Sequence, residues 1–169
     1  YFLDDANNKL VDEYTDALPA KISKVVGEAL KNLSPADISH AQGKATFAVN
    51  RRNNKEADVP KLKEADAIKG PFDHSVPVLQ VKDGNGKLKA IVFGYACHAT
   101  TLGFQQWCGD YPGYAMAELE KRHPGAIALF WAGCGADQNP IPRRTLELAI
   151  EYGKHLADSV DKVLSQKMT

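Results

Sequence analysis

Residues 76–98 read VPVLQVKDGNGKLKAIVFGYACH, and this stretch decides the fold. Two apolar runs with strand character, residues 76–81 and 88–93, flank the turn sequence Asp83-Gly84-Asn85-Gly86. Glycine and asparagine tolerate the positive φ angles that tight hairpin turns require. The stretch therefore predicts a β-hairpin whose second strand ends shortly before His98.

Further regular elements are predicted on both sides of this hairpin. Residues 8–33 carry apolar side chains at helical spacing and predict one long helix, or two short ones divided at Pro19. Extended structure with a bend at Gly43 is predicted for residues 37–49. Beyond the hairpin, the pattern predicts a helix at 111–123, a buried strand at 126–132 and a closing helix at 144–164. This order predicts an α/β fold (α+β layers), with a mixed β-sheet flanked by helices and residues 1–169 forming a single domain or part of one.

Composition narrows the class of protein. The 169 residues include 21 Lys plus Arg and 21 Asp plus Glu, so no basic field favours nucleic acid as a partner. No apolar run approaches the roughly 18 residues that a spanning helix needs, so no transmembrane segment is expected. The spacing of Cys97, Cys108 and Cys134 fits neither a zinc ribbon nor a disulfide framework. Because the chain starts at Tyr1, we expect a processed product or an excised fragment without its signal peptide.

Residues 53–74 have the composition of a long surface loop. They are rich in Lys, Glu and Asp and are interrupted by Pro60, Gly70 and Pro71. Such a segment is expected to serve as a lid or to be simply mobile.

Three loops with small and polar residues follow predicted regular elements, at 95–102, 109–113 and 133–140. The first carries His98 directly after the end of the hairpin strand, where the sheet holds a side chain rigidly beside a crevice. Three loops of this kind predict one common site.

His98 is either a metal ligand through a neutral ring nitrogen or a satisfied structural histidine. No second histidine lies at zinc-motif spacing, so a complete metal site would need ligands from elsewhere. Cys97 and His98 are neighbours on extended chain and point to opposite faces, which predicts a buried structural Cys97. Cys134, in the glycine turn, is a candidate nucleophile or a small residue packed in that turn.

The other candidate residues have a structural alternative as well. The turn at 133–140 is predicted to lead into a helix and to offer backbone amides to an anion, with Asp137 and Asn139 orienting ligands or capping. It lacks the Gly-Lys-Ser/Thr of a P-loop, so nucleotide binding is not predicted. Arg51 and Arg52 supply a fork for a carboxylate, a phosphate or a polarised carbonyl, or they are simply solvated at the surface. Asp110 is either a carboxylate that supports the site residues without touching the ligand, or the N-cap of the next helix.

Taken in order, these segments resemble the neutral/alkaline non-lysosomal ceramidase family, especially its bacterial members. The resemblance covers most of the chain from Asn50 onward. The matching segments are Asn50-Arg51-Arg52, residues 76–81 with Gly86-Lys87, Tyr95-Ala96-Cys97-His98-Ala99-Thr100-Thr101, Gly109-Asp110-Tyr111-Pro112-Gly113 and residues 135–140.

That resemblance implies a zinc-dependent hydrolase that splits the amide between a fatty acid and a sphingoid base, with Zn²⁺ as cofactor and a ceramide-like lipid as substrate. It implies that His98 binds zinc and that Arg51 faces the substrate or the reacting carbonyl. In the turn, the resemblance implies Asp137 and Gln138 as catalytic residues, with Gly135 and Asn139 lining the pocket. A secreted or periplasmic location and contact with a membrane surface are implied as well.

Two departures from the family pattern qualify these expectations. The family's His-x-His segment lies before the matching region and its Glu and Tyr ligands lie after it, so the chain resembles the middle portion of a larger catalytic domain and should bind zinc poorly alone. Gln138 stands where the family has a serine important to catalysis. An alternative is therefore a non-catalytic lipid- or carbohydrate-binding module with the same fold, and a third is a thiol hydrolase that uses Cys134.

Overall fold

A computed structural model describes residues 3–169. Its contacts divide the chain into two compact units, with the boundary between Pro35 and Ala36. The helices and strands are α1 (Asp5–Lys31), β1 (Ala36–Lys44), β2 (Ala48–Asn50), α2 (Val59–Glu64), β3 (Ser75–Asp83), β4 (Leu88–Tyr95), α3 (Asp110–Arg122), β5 (Ile127–Ala132), β6 (Gln138–Pro140) and α4 (Leu146–Leu164).

The first unit consists of α1 and its flanking residues. The Asp4 side chain caps this helix by accepting a hydrogen bond of 2.8 Å from the backbone N–H of Asn7. Pro19 lies inside the helix without ending it. Of the two predicted possibilities, one long helix is therefore the one that forms.

The second unit is built on a mixed four-stranded sheet with the strand order β1-β3-β4-β5. The first three strands are antiparallel, whereas β5 runs parallel to β4. The predicted hairpin is β3 and β4, and its turn is closed by Asp83, whose carboxylate accepts hydrogen bonds of 3.0 Å from the N–H groups of Asn85 and Lys87. Gly86 has a φ of +77°, as the turn sequence requires. These features confirm the predicted α/β fold.

The main core lies between one face of this sheet and the helices α3 and α4. It includes Val78, Ile91 and Phe93 from the sheet and Leu119 and Leu156 from the helices, all buried. Residues of one strand alternate between the two faces of a sheet, so their neighbours point away from this core.

The strand predicted at 126–132 forms, but the prediction that it is buried is wrong. This strand, β5, lies at the edge of the sheet, and Ile127, Leu129 and Trp131 on its outer face are 59%, 50% and 41% exposed. Ala128 on the inner face is buried at 4% exposure. The continuous apolar run therefore serves two faces, of which the helices cover one.

The polar segment 53–74 carries regular structure that the sequence did not predict. It contains a short 3-10 helix, Glu56–Asp58, followed by α2. Val59 packs into a small second core with Val49 and Ile141, and the Lys63 ammonium donates a 2.7 Å hydrogen bond to the carbonyl of Ile141. These contacts hold the segment beside β2 and β6.

Among residues 3–169, none of the helices has both the length and the apolar character needed to cross a bilayer.

Gly153 should be required for the close packing of α4 on α3. A Cβ at this position would lie 2.5 Å from the Cβ of Tyr114 and 3.0 Å from the backbone N of Ala115. We expect Gly153→Ala to lower the free energy of unfolding by about 1–3 kcal/mol, because overpacking outweighs the better helix propensity of alanine. Denaturant unfolding followed by circular dichroism measures the change.

Gly113 in α3 is the matched control, because a Cβ there would have no atom within 4 Å. Gly113→Ala should leave the free energy of unfolding unchanged or raise it by about 0.5–1 kcal/mol. Equal effects of the two substitutions would contradict the packing argument.

Candidate functional site

The short ladder between β2 and β6 brings two distant segments of the chain together. Asn50 pairs with Gln138 in this antiparallel ladder, and the backbone N–H of Arg51 donates to the carbonyl of Asp137 at 2.8 Å. The turn at 133–137 thus leads into a strand, and α4 begins only at Leu146. A helix does follow the turn, as predicted, but β6 lies between them, so the amides of the turn are not at a helix N-terminus.

His98 is fixed against the same ladder. Its backbone N–H donates to the carbonyl oxygen of Gln138 at 3.0 Å, and its ring Nδ1 lies 3.0 Å from that same oxygen. A carbonyl oxygen only accepts hydrogen bonds, so Nδ1 carries a proton in this geometry, and in the neutral tautomer the lone pair is on Nε2. A backbone carbonyl behind one ring nitrogen is the usual partner of a histidine that binds a metal through the other nitrogen.

Gly135 allows the turn to approach the end of β4 very closely. A Cβ on this residue would lie 2.5 Å from the backbone N of Cys97 and 2.6 Å from the carbonyl carbon of Ala96. Beside this contact lies a cavity of about 270 Å³, lined by Cys97, His98, Ala99, Phe130, Ala132, Gly133, Gly135 and Ala136. The small side chains of the lining leave His98 accessible from the cavity.

A larger hollow of about 500 Å³ lies elsewhere, beside His40, Leu79 and Trp131. None of the predicted site residues lines it. The cavity beside His98 is therefore the one that belongs to the candidate site.

The structure confirms the predicted burial of Cys97 and leaves the role of Cys134 open. Cys97 is only 3% exposed, and burial raises the pKa of its thiol far above the usual range. A thiol in that state is inert as a nucleophile at neutral pH. Cys134 is exposed and forms no disulfide. Its role as a nucleophile stays a prediction.

Asn50 is the residue at the site that sequence reasoning missed. Its side chain is 1% exposed and makes four hydrogen bonds. The amide nitrogen donates to the carbonyl of Pro71 and to the carboxylate of Asp137, each at 2.9 Å. The amide oxygen accepts from the N–H groups of Arg52 and Asn53, each at 3.0 Å. An asparagine directly between a strand and a polar turn was the available signal.

The remaining predicted residues lie around this centre. Arg51 is exposed, and its Nε donates to the carbonyl of Ala136 at 3.3 Å. Gln138 and Asn139 are buried, at 2% and 4% exposure. The side-chain oxygen of Gln138 accepts a 3.1 Å hydrogen bond from the backbone N–H of Asp73. The catalytic roles of Asp137 and Gln138, and the substrate contacts of Gly135 and Asn139, stay predictions.

Arg143 links the segment 53–66 to the loop that follows His98. Its guanidinium donates to the carboxylate of Glu56 from Nη2 at 2.6 Å and from Nε at 2.9 Å. The same group reaches the hydroxyl of Thr100 at 3.5 Å. The hydrogen bond with Arg143 holds the pKa of Glu56 below its usual range, with Arg144 adding a weaker attraction.

His98 is the side chain at this site whose geometry suits a metal ligand. His98 presents a free Nε2 and a carbonyl partner behind Nδ1, which suits a single zinc ligand. Within residues 3–169, no group of three or more His, Cys, Asp or Glu side chains is arranged to hold a metal ion. These residues thus offer one metal ligand at this site rather than a full coordination sphere.

Comparison with solved structures gives the fold a precedent. A neutral ceramidase from Pseudomonas aeruginosa matches with a TM-score of 0.69 and 19% sequence identity, over 89% of this chain and 26% of that one. A ceramidase complexed with C2 matches with a TM-score of 0.65 and 18% identity, over 82% of this chain and 23% of that one. This chain has the fold of part of a neutral ceramidase. The ceramidase resemblance is thereby confirmed for the fold, and the chain spans about a quarter of the length of these structures.

Searches by sequence do not extend this result. No protein-family model matches the chain. The curated proteins likewise contain no match. At 18–19% identity the ceramidase likeness is a statement about the fold alone.

Asn50 should be essential for the stability of the site. We expect Asn50→Ala to lower the free energy of unfolding by roughly 1–3 kcal/mol, because the buried hydrogen-bonding groups around it lose their partner. Asn50→Asp should also destabilise the protein at neutral pH, since it places a second carboxylate against Asp137. Chemical unfolding monitored by fluorescence gives both values.

Asn53→Ala is the matched control, since Asn53 is exposed on the same turn. It should change the free energy of unfolding by less than about 0.5 kcal/mol. A loss as large as that of Asn50→Ala would refute the central role of the Asn50 side chain.

The contact between Glu56 and Arg143 should make the segment 53–66 sensitive to acid. A carboxyl whose pKa is lowered in the folded state stabilises the protein above its unfolded pKa and loses that contribution as the pH falls through the folded pKa. We expect amide hydrogen exchange at 56–64 to accelerate, relative to the core, as the pH falls below about 4.5, the ordinary pKa of a glutamate. Glu56→Gln should show the loosened segment already at pH 7 and should lose this extra acid response.

Proposed function

We propose that this chain forms part of the active site of a zinc-dependent hydrolase of the neutral ceramidase type, which cleaves the N-acyl amide bond of a ceramide-like lipid. The observation that carries the proposal is the double contact of His98, which lines the cavity, with the carbonyl of Gln138; this contact uses Nδ1 and not Nε2. The ceramidase fold of the chain supports it. In this proposal the remaining metal ligands come from polypeptide outside these residues.

Bound zinc would polarise the amide carbonyl and lower the pKa of a water molecule. His98 supplies one ligand, and the carbonyl of Gln138 holds its imidazole in the tautomer that a metal needs. The hydrogen bond that Nδ1 donates also restrains rotation of the ring.

Arg51 is proposed to bind the carbonyl or the head group of the substrate. Its guanidinium is exposed, and its Nε donates to the carbonyl of Ala136 at 3.3 Å. The two terminal nitrogens of such a group donate in a planar fork, which suits an oxygen that gains negative charge. Arg51 thus approaches the turn at 133–137 from the side of β2.

The turn itself forms the wall of the proposed pocket. Gly135 brings the chain against the end of β4, and Asn139 follows it in β6. The carboxylate of Asp137 accepts from the amide of Asn50 at 2.9 Å, and its backbone carbonyl accepts from the N–H of Arg51 at 2.8 Å. Gln138 acts in this proposal through its backbone carbonyl, because its side-chain oxygen is engaged by Asp73.

A secreted or periplasmic location and contact with a membrane surface complete the proposal, since a ceramide-like substrate resides in membranes.

A non-catalytic lipid- or carbohydrate-binding module is the second candidate function. It is favoured by Gln138, whose buried amide stands where the family has a serine, and which offers no hydroxyl to the cavity. Such a module would bind the same lipid without hydrolysing it.

The zinc role of His98 is tested by His98→Ala in the full-length protein. We expect the variant to lose most of its bound zinc, measured by atomic emission, and at least about 100-fold in hydrolysis of a fluorescent N-acyl sphingosine. His40→Ala is the matched control, because His40 is an exposed histidine on β1 that does not line the cavity beside His98. It should keep both zinc and activity.

Other outcomes select between the candidates. If His98→Ala keeps both its zinc and its hydrolysis, the proposed function is wrong. Binding of ceramide-containing vesicles without turnover by the wild type would favour the binding module. Loss of hydrolysis after alkylation of Cys134, with no dependence on metal, would favour the thiol hydrolase.

A further inference from the structure

The loop that follows His98 is held by the first residues of α3. His98 lies between the end of β4 and this helix, in a stretch, 96–109, with no helix or strand. Its ring is anchored on one side by the carbonyl of Gln138. The direction of Nε2 is fixed only if the loop that follows His98 is held in place as well.

Asp110 provides that restraint through its carboxylate. One oxygen accepts a 3.1 Å hydrogen bond from the backbone N–H of Thr101, and the other accepts one of 2.8 Å from the N–H of Leu102. The first oxygen also accepts from the N–H of Tyr111 at 2.7 Å. The side chain is 5% exposed, so these three contacts form away from solvent.

Asp110 also adopts a left-handed backbone conformation, which is uncommon for residues other than glycine. Its φ is +50°, and the N-cap of α3 is Gly109, so the prediction of Asp110 as an N-cap is wrong. A non-glycine residue in this region costs free energy and occurs where the surroundings demand it. Here the conformation turns the carboxylate back onto the loop instead of along the helix.

The neighbouring residue holds the other end of the same loop. The hydroxyl of Tyr111 donates a 2.8 Å hydrogen bond to the carbonyl of Cys97, directly before His98. The carbonyl of Thr101 accepts from the N–H of Arg144 at 2.6 Å. The Thr101 hydroxyl is buried and finds no hydrogen-bond partner among residues 3–169, so this part of the loop is held through its backbone.

We propose that Asp110 is a positioning residue for His98: its carboxylate fixes the backbone at 101–102 and thereby keeps the imidazole against the carbonyl of Gln138, which sets its tautomer and direction. The proposal rests on the metal role proposed for His98. Asp110 itself touches neither the imidazole nor the cavity, so it acts through the loop.

Asp110→Asn in the full-length protein tests the proposal. Asparagine tolerates positive φ, so the backbone conformation is retained. Its NH₂ group, however, replaces one acceptor oxygen and faces a backbone N–H. We expect faster amide hydrogen exchange at 98–102, a mixture of ring tautomers in the nitrogen NMR shifts of His98 without metal, and about 10- to 100-fold weaker affinity for Zn²⁺ in chelator competition.

Asp161→Asn is the matched control. The Asp161 carboxylate binds Arg122 and His123, each at 2.7 Å, on α4 and away from the loop. This variant should lose stability but should keep the His98 tautomer and the zinc affinity of the wild type. If Asp110→Asn does not fold, Asp110→Gly carries the test, since glycine accepts the same φ and lacks the carboxylate.

The outcomes separate this proposal from the proposed function. An unchanged His98 tautomer and unchanged exchange at 98–102 in a folded Asp110 variant overturn the positioning role, whatever His98 binds. The His98 tautomer and the exchange at 98–102 can change as expected while His98→Ala binds as much zinc as the wild type. In that case the positioning role stands and the proposed function fails.

Discussion

The carbonyl oxygen of Gln138 is the contact on which the candidate site depends. It receives both the backbone N–H and the ring Nδ1 of His98, so one acceptor restrains the main chain and the side chain of the same residue. The oxygen reaches this place because Gln138 belongs to β6, which pairs with Asn50 in β2. Loss of that short ladder would therefore release the imidazole and separate Arg51 from the turn.

Two further contacts support this one. Gly135 admits the turn to the end of β4, where a side chain would collide with the backbone of Cys97. Asn50 joins the turn to the strand that precedes Arg51. Each contact uses backbone groups or buried amides, so the loops carry little freedom of their own although they have no regular structure.

The sequence predicted the hairpin, the helices at the C-terminal half and the convergence of the loops because these follow from local patterns. Alternating apolar residues and a Gly-Asn turn act within a few positions of each other. It did not predict β6, which has three residues and forms only by pairing with β2, nearly 90 residues earlier. The central place of Asn50 was missed for the same reason, because three of its four partners are backbone groups and the fourth, Asp137, is remote in sequence. The burial of β5 was overestimated because an apolar run of strand length does not reveal whether both faces of the sheet are covered.

The outer face of β5 has a practical consequence for handling this polypeptide. Its exposed isoleucine, leucine and tryptophan stand beside a strand edge whose amides and carbonyls have no neighbouring strand in the sheet order among the described residues. An exposed apolar edge strand of this kind promotes self-association in concentrated solution. Purification of these residues alone therefore calls for low protein concentration, mild detergent or a solubilising fusion partner.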